Sequence, residues 1–110
     1  MTDKYSADWE KQIDELIETA HTDQQAAKDM AIRMLSFAES EFGSDSKRVI
    51  QLYHQLGIIT MLMNHFDESE SYFLTAMEKA SNCTFIETSQ ISDITKHLAM
   101  LYEHKRIYSE

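Results

Sequence analysis

Two glycines and no proline punctuate a chain of 110 residues, and one of them, Gly57, stands inside the apolar run "LYHQLGIITMLMNHFDESESYF". Sheets joined by tight hairpins demand more turn residues than this. The chain is therefore expected to be all-helical. A glycine in a helix interior costs about 1 kcal/mol relative to alanine. A helix that accepts that cost usually needs the missing side chain because another backbone passes close by. Across Asn64-His65 a second helical pattern begins, which makes Gly57 the expected contact point between two helices.

Spacing gives five helical patterns. Trp9, Ile13, Leu16, Ile17 and Ala20 form one apolar stripe at i, i+4, i+7, i+8 and i+11. Asp23 is placed to cap a second helix, which carries Ala27, Met30, Ala31, Met34 and Ala38. That helix ends at Phe42-Gly43, with Gly43 suited to the left-handed position just past a helix end. Asp45 or Ser46 offers the next N-cap. The third pattern runs to about Met63 and is apolar nearly all round, through Val49, Leu52, Tyr53, Leu56, Ile58, Ile59 and Leu62, as in a helix sandwiched by others. Asn64 tolerates the left-handed conformation that closes a turn, and Asp67 suits the positive end of a helix dipole. The fourth stripe is Phe66, Ser69, Phe73, Ala76, Met77 and Ala80; the fifth is Ile91, Ile94, Leu98, Leu101 and Tyr102. Connections this short make sequential helices antiparallel neighbours. The expected organisation is a single domain over 1–110, with one hairpin over 8–42, a second over 46–82 and a terminal helix over 88–105.

Composition bounds the function. A net charge of −9, spread along the chain, argues against nucleic acid and anionic membranes as partners and reads as solvated helix faces. No segment approaches the ~20 apolar residues of a membrane span, and "MTDKYSADWEKQ" has no apolar signal core. The single cysteine, Cys83, cannot form an internal disulfide, which suits a reducing compartment. A cytoplasmic location is expected.

"HQLGIITMLMNHFDES" and "KHLAMLYEHKRIYSE" align at an offset of 42 residues, setting Leu56-Gly57 on Leu98-Ala99 and Phe66 on Tyr108. A period in this range marks a helical solenoid. Residues 50–83 resemble one tetratricopeptide repeat, the helix–turn–helix unit of about 34 residues. Tyr53, Leu56-Gly57, Phe66, Ser69, Phe73 and Ala76 follow that family's order of bulky, Leu-Gly, aromatic, small, aromatic and small positions. Thr60 stands where a large aromatic is usual, Asn64 replaces the turn glycine, and Ser81 replaces the closing proline. The longer spacing resembles the subclass of kinesin light chains and of many bacterial sensor and adaptor proteins. The likeness is closest over 50–83, partial over 91–110 and loosest over 8–42, where Asp14-Glu15 falls on the Leu-Gly pair.

The resemblance implies a short right-handed solenoid that acts as a protein–protein interaction scaffold or adaptor, holding a peptide or partner helix in a concave groove. Carried over position by position, that groove would show Gln51, His54, Gln55, Ile58, Met61 and Leu62 from the third helix. The fifth would add Asp93, Lys96, His97, Met100 and His104. Ile58 and Leu62 also suit simple packing against neighbouring helices. The alternative within the family is a fragment of a peptide-sensing regulator whose effector domain is absent. Leu98, Ala99 and Tyr102 occupy positions that pack against a following helix, so self-association through the C-terminal helix, most simply as a homodimer, is expected.

Catalytic readings fare worse. Glu18-Thr19-Ala20-His21 has the Glu-x-x-His spacing of di-iron bundles, but that chemistry requires a second such motif and the chain has none. His97 and His104 share a helix face without a cysteine or carboxylate to complete a ligand set. Phosphate loops and nucleophile elbows cannot be built from two isolated glycines. The sequence reads as a non-enzyme without cofactor or metal, and a metal-dependent helical bundle is the distant alternative.

Overall fold

The computed structural model describes residues 6–108, so the ends of the expected 1–110 domain, positions 1–5 and 109–110, lie outside the described residues. Among the described residues the chain forms five helices: α1 (Ser6–Thr22), α2 (Gln24–Phe42), α3 (Lys47–Leu62), α4 (Phe66–Asn82) and α5 (Thr88–Tyr108). The fold is all-α.

Local chemistry accounts for the boundaries. Asp23, the only residue between α1 and α2, accepts a hydrogen bond from the Ala26 N–H at 3.0 Å and caps α2. Ser46 caps α3 in the same way, accepting from the Val49 N–H at 3.2 Å. Gly43 has φ +92°, and its N–H donates to the Glu39 carbonyl. At the end of α3, Asn64 takes a left-handed φ of 63°, and the His65 N–H returns to the Thr60 carbonyl at 2.9 Å. The fourth helix has His65 as N-cap with no side-chain cap bond, and Asp67 and Glu68 provide the negative charge in its first turn.

Each helix packs on its neighbours in sequence. Trp9 near the start of α1 meets Phe42 at the end of α2, with ring centroids 6.3 Å apart, so these helices are antiparallel. Contacts from Phe66 to Tyr108 and from Asp67 to Lys105 show the same of α4 and α5. The third helix is the hub, as its all-round apolar pattern requires. Its Val49, Leu52, Leu56 and Ile59 join Leu16 of α1 and Ala27, Ala31 and Ala38 of α2 in one buried cluster. Ile50 packs with Ala76, Ala80 and Ile94, while Met61 packs with Phe73 and Leu101. Ile17 and Leu62, read from spacing as members of their stripes, remain 40% and 49% exposed. Both lie at the margin of their stripe, where no neighbouring helix covers them.

Gly57 shows why α3 tolerates a glycine. A Cβ built there would lie 2.5 Å from two atoms of the buried Phe73 ring of α4. The ring therefore rests on bare backbone. Beside it, the Ser69 hydroxyl donates to the Gly57 carbonyl at 2.6 Å, joining α4 to α3 directly. Thr60, also fully buried, turns its hydroxyl back to the Leu56 carbonyl at 2.7 Å and the Gly57 carbonyl at 3.2 Å. Both buried hydroxyls are thus satisfied within the interface.

Gly57→Ala should lower stability in urea unfolding although alanine is the better helix former, because the fully buried Phe73 has nowhere to retreat. Gly57→Leu should cost more, about 3 kcal/mol or above. Phe73→Leu in the Gly57→Ala background should recover part of the loss as a favourable coupling. A Gly57→Ala protein as stable as the parent, or more so, would contradict this account of the interface.

Candidate partner-binding cleft

The first, third and fifth helices run side by side in the same direction. α1, α3 and α5 begin 41 residues apart, and α2 and α4 begin 42 apart. Residues about one such step apart meet. The Trp9 indole N–H donates to the Gln51 Oε1 at 2.8 Å. The Lys47 ammonium pairs with Glu87 at 3.1 Å, and the Gln90 side-chain amide donates to the Lys47 carbonyl at 3.4 Å.

A cleft of about 640 Å³ opens between these helices. Gln51, His54 and Gln55 of α3 form its floor, Trp9 and Glu10 of α1 one wall, and Gln90 and Asp93 of α5 the other. The rim is built at the α2–α3 junction. There the Arg48 guanidinium lies 4.3 Å from the Phe42 ring centroid and 5.3 Å from that of Trp9. The glutamines offer donors and acceptors together, matching the alternating N–H and C=O groups of an extended backbone. Glu10 and Asp93 add exposed carboxylates on opposite sides.

His54 on the floor is only 8% exposed. Its Nε2 lies 2.9 Å from the Nδ1 of His97, and that same Nδ1 lies 2.8 Å from the Asp93 carbonyl oxygen. Phe73 packs against both imidazoles, with centroids 6.0 and 6.3 Å away. Burial, reinforced by the neighbouring His97, pushes the His54 pKa down from 6.5 to about 4, and the Asp93 charge opposes this only in part.

Of the residues expected along the groove, Gln51, His54, Gln55 and Asp93 line the cleft together. The others lie elsewhere. Met61, expected on the open side, is buried against Phe73 and Leu101, with Ile58 half-buried on the same cluster. The reason is that α5 packs across the second half of α3 and covers that stretch. His54 is likewise no open contact residue, since His97 and Phe73 enclose it. Lys96 and Met100 are exposed on α5 away from the cleft, and His104 stacks against Phe66 and Tyr108. In the surface assigned to self-association, Ala99 and Tyr102 are exposed, whereas Leu98 is half-buried against the Met61–Phe73–Leu101 cluster.

Trp9, Glu10, Arg48 and Gln90 are cleft residues that the groove expectation missed. A signal for them was present. A step of 42 residues leads from Gln51 back to Trp9 and from Arg48 on to Gln90, so the repeat offset marks them as neighbours. Glu18 and His21 are both exposed on α1, and among the described residues no group of three or more His, Cys, Asp or Glu side chains is placed to hold a metal ion. Among them, too, no helix is long and apolar enough to cross a membrane.

Gln51→Ala should leave the nearly buried indole N–H of Trp9 without its acceptor and cost about 1 kcal/mol. Because Trp9 is the only tryptophan, its fluorescence should change in the folded state at the same time. An unchanged emission spectrum together with unchanged stability would remove Gln51 from the Trp9 wall.

Geometry is the basis for a functional reading, because no family model, no curated protein and no solved structure matches the chain.

Proposed function

We propose that this protein is an interaction scaffold of the tetratricopeptide kind, which receives a peptide or partner helix in the cleft between α1, α3 and α5. One observation carries the reading: three parallel helices present their side chains to a single concave surface, and that surface is rich in amide and aromatic groups. An elongated ligand laid across it would meet Trp9 on one side and Gln90 and Asp93 on the other. Gln51 and Gln55 would lie beneath its backbone. Specificity would come from the carboxylates of Glu10 and Asp93 against the cations of Lys47 and Arg48 at the rim. In this reading the site binds without transforming its ligand, so the protein is an adaptor and not an enzyme.

Selection from a random peptide display library against the full chain tests the proposal. Peptides recovered should bind the parent and lose at least about tenfold in affinity to the double variant Gln55→Ala, Asp93→Ala, whose melting temperature should stay within about 2 °C of the parent. Lys96→Ala, outside the cleft, should bind as the parent does. Peptides that bind the double variant undiminished would place the site elsewhere, and a selection that recovers no specific binder would count against the scaffold reading.

A further inference from the structure

The contact between His54 and His97 has a stereochemical restriction that ordinary side-chain hydrogen bonds lack. A carbonyl oxygen only accepts, so the Asp93 carbonyl at 2.8 Å requires a hydrogen on the His97 Nδ1. That hydrogen also faces the His54 Nε2 across 2.9 Å. The His54 Nε2 must then present its lone pair, and the ring is neutral with its own hydrogen on Nδ1. Only one hydrogen fits between the two nitrogens. A proton added to His54 would place a second N–H head-on against the first, so that either the rings part or His97 shifts its hydrogen to Nε2 and gives up the Asp93 carbonyl.

What these rings hold together is an edge helix. The fifth helix rests mainly on α4, through Ile94, Leu101 and the Lys105 pairs with Asp67 and Glu70. It meets α3 more lightly: Ile94 and Leu101 reach the Ile50 and Met61 clusters, and the polar contacts are the imidazole pair, the Lys47–Glu87 pair and the Gln90–Lys47 hydrogen bond. The last two are exposed and worth little individually. We propose that the His54–His97 pair is an acid-sensitive latch, which holds α5 against α3 while one hydrogen lies between the rings and releases it when His54 takes up a proton. Release would carry away the Gln90–Asp93 wall of the cleft. The latch stands whether or not the cleft receives a peptide.

The surroundings favour the neutral ring. From α4 the neighbour is the uncharged Phe73 ring, and Phe42 of α2 lines the cleft without charge. On α3, Lys47 and Arg48 lie along the same cleft and oppose an added positive charge. Asp93 of α5 and Glu10 of α1 act the other way, but Asp93 only partly offsets burial and the His97 ring. With the docked His54 titrating at about 4 and the released ring near its ordinary 6.5, the docked state binds fewer protons. Docking is therefore at full strength above pH 6.5 and weakens as pH falls toward 4.

Nuclear magnetic resonance on the full chain tests this in two ways. At neutral pH, imidazole nitrogen shifts should show His97 protonated on Nδ1 and His54 bare on Nε2; a His54 hydrogen found on Nε2 overturns the latch. Amide exchange, corrected for intrinsic rates, should then show the opening constant of residues 88–97 rising up to about tenfold per pH unit below neutrality. Residues 24–38 of α2 should show no such rise. In His54→Gln, which keeps a polar group without titrating, the α5 opening constant should be independent of pH. A rise in the parent shared equally by α2, or retained in His54→Gln, refutes the proposal. If His54→Gln does not fold, the parent's imidazole shifts and the contrast between α5 and α2 still decide it.

Discussion

The Phe73 ring lying on the bare backbone of Gly57 sets the distance between α3 and α4, and the other contacts of the hub inherit that distance. Phe73 reaches it from the middle of α4, and its own surroundings are the His54 and His97 rings on one side and Met61 and Leu101 on another. Moving the ring by the ångström or so that a methyl group would demand disturbs three helices at once. Close packing leaves little slack to absorb such a shift. The Ser69 hydroxyl works in the same place for the same reason, since only a small polar side chain can reach the Gly57 carbonyl at so close an approach.

Around that contact, charged groups act at the periphery. Lys28 pairs with Glu68, Lys79 with Asp45, and Lys105 with Asp67 and Glu70, each joining different helices or a helix to a connecting segment. Such pairs add fractions of a kcal/mol each and chiefly fix which surfaces face one another. Lysines are scarce against 19 acidic residues, and among the described residues the partly buried lysines are those in these pairs. Among the described residues, the surplus carboxylates face solvent.

Much of the fold was legible in the sequence because helices report themselves locally. Apolar spacing in α1 to α4, the Asp23 and Ser46 caps and the left-handed Asn64 all depend on residues within a few positions, and each lies where spacing and backbone preference put it. Gly57 was legible for another reason: its cost makes sense only if something touches it. The candidate site was harder to read. Whether His54 and Met61 face an open groove depends on where α5 lies across α3, and no feature of α3 alone encodes that. Trp9 was read as core from its stripe. It is indeed nearly buried, yet its indole edge also forms a wall of the cleft, a double role that periodicity cannot express.

Asp23 is the whole of the connection between α1 and α2. Its N–H donates to the Thr19 carbonyl at 2.7 Å, its own carbonyl accepts from Ala27 at 3.0 Å, and its carboxylate caps the second helix. Every polar group of the residue is engaged, and there is no spare backbone to lengthen. The segment over 83–87 is different: it includes Phe85, 82% exposed, and joins α4 to α5 with residues to spare. Changes of chain length are thus expected to accumulate unevenly along this protein. The first hairpin resists insertion as a single stiff unit, while the junction before α5 offers the place where a loop can grow, or a new segment be accepted, without disturbing the packed helices.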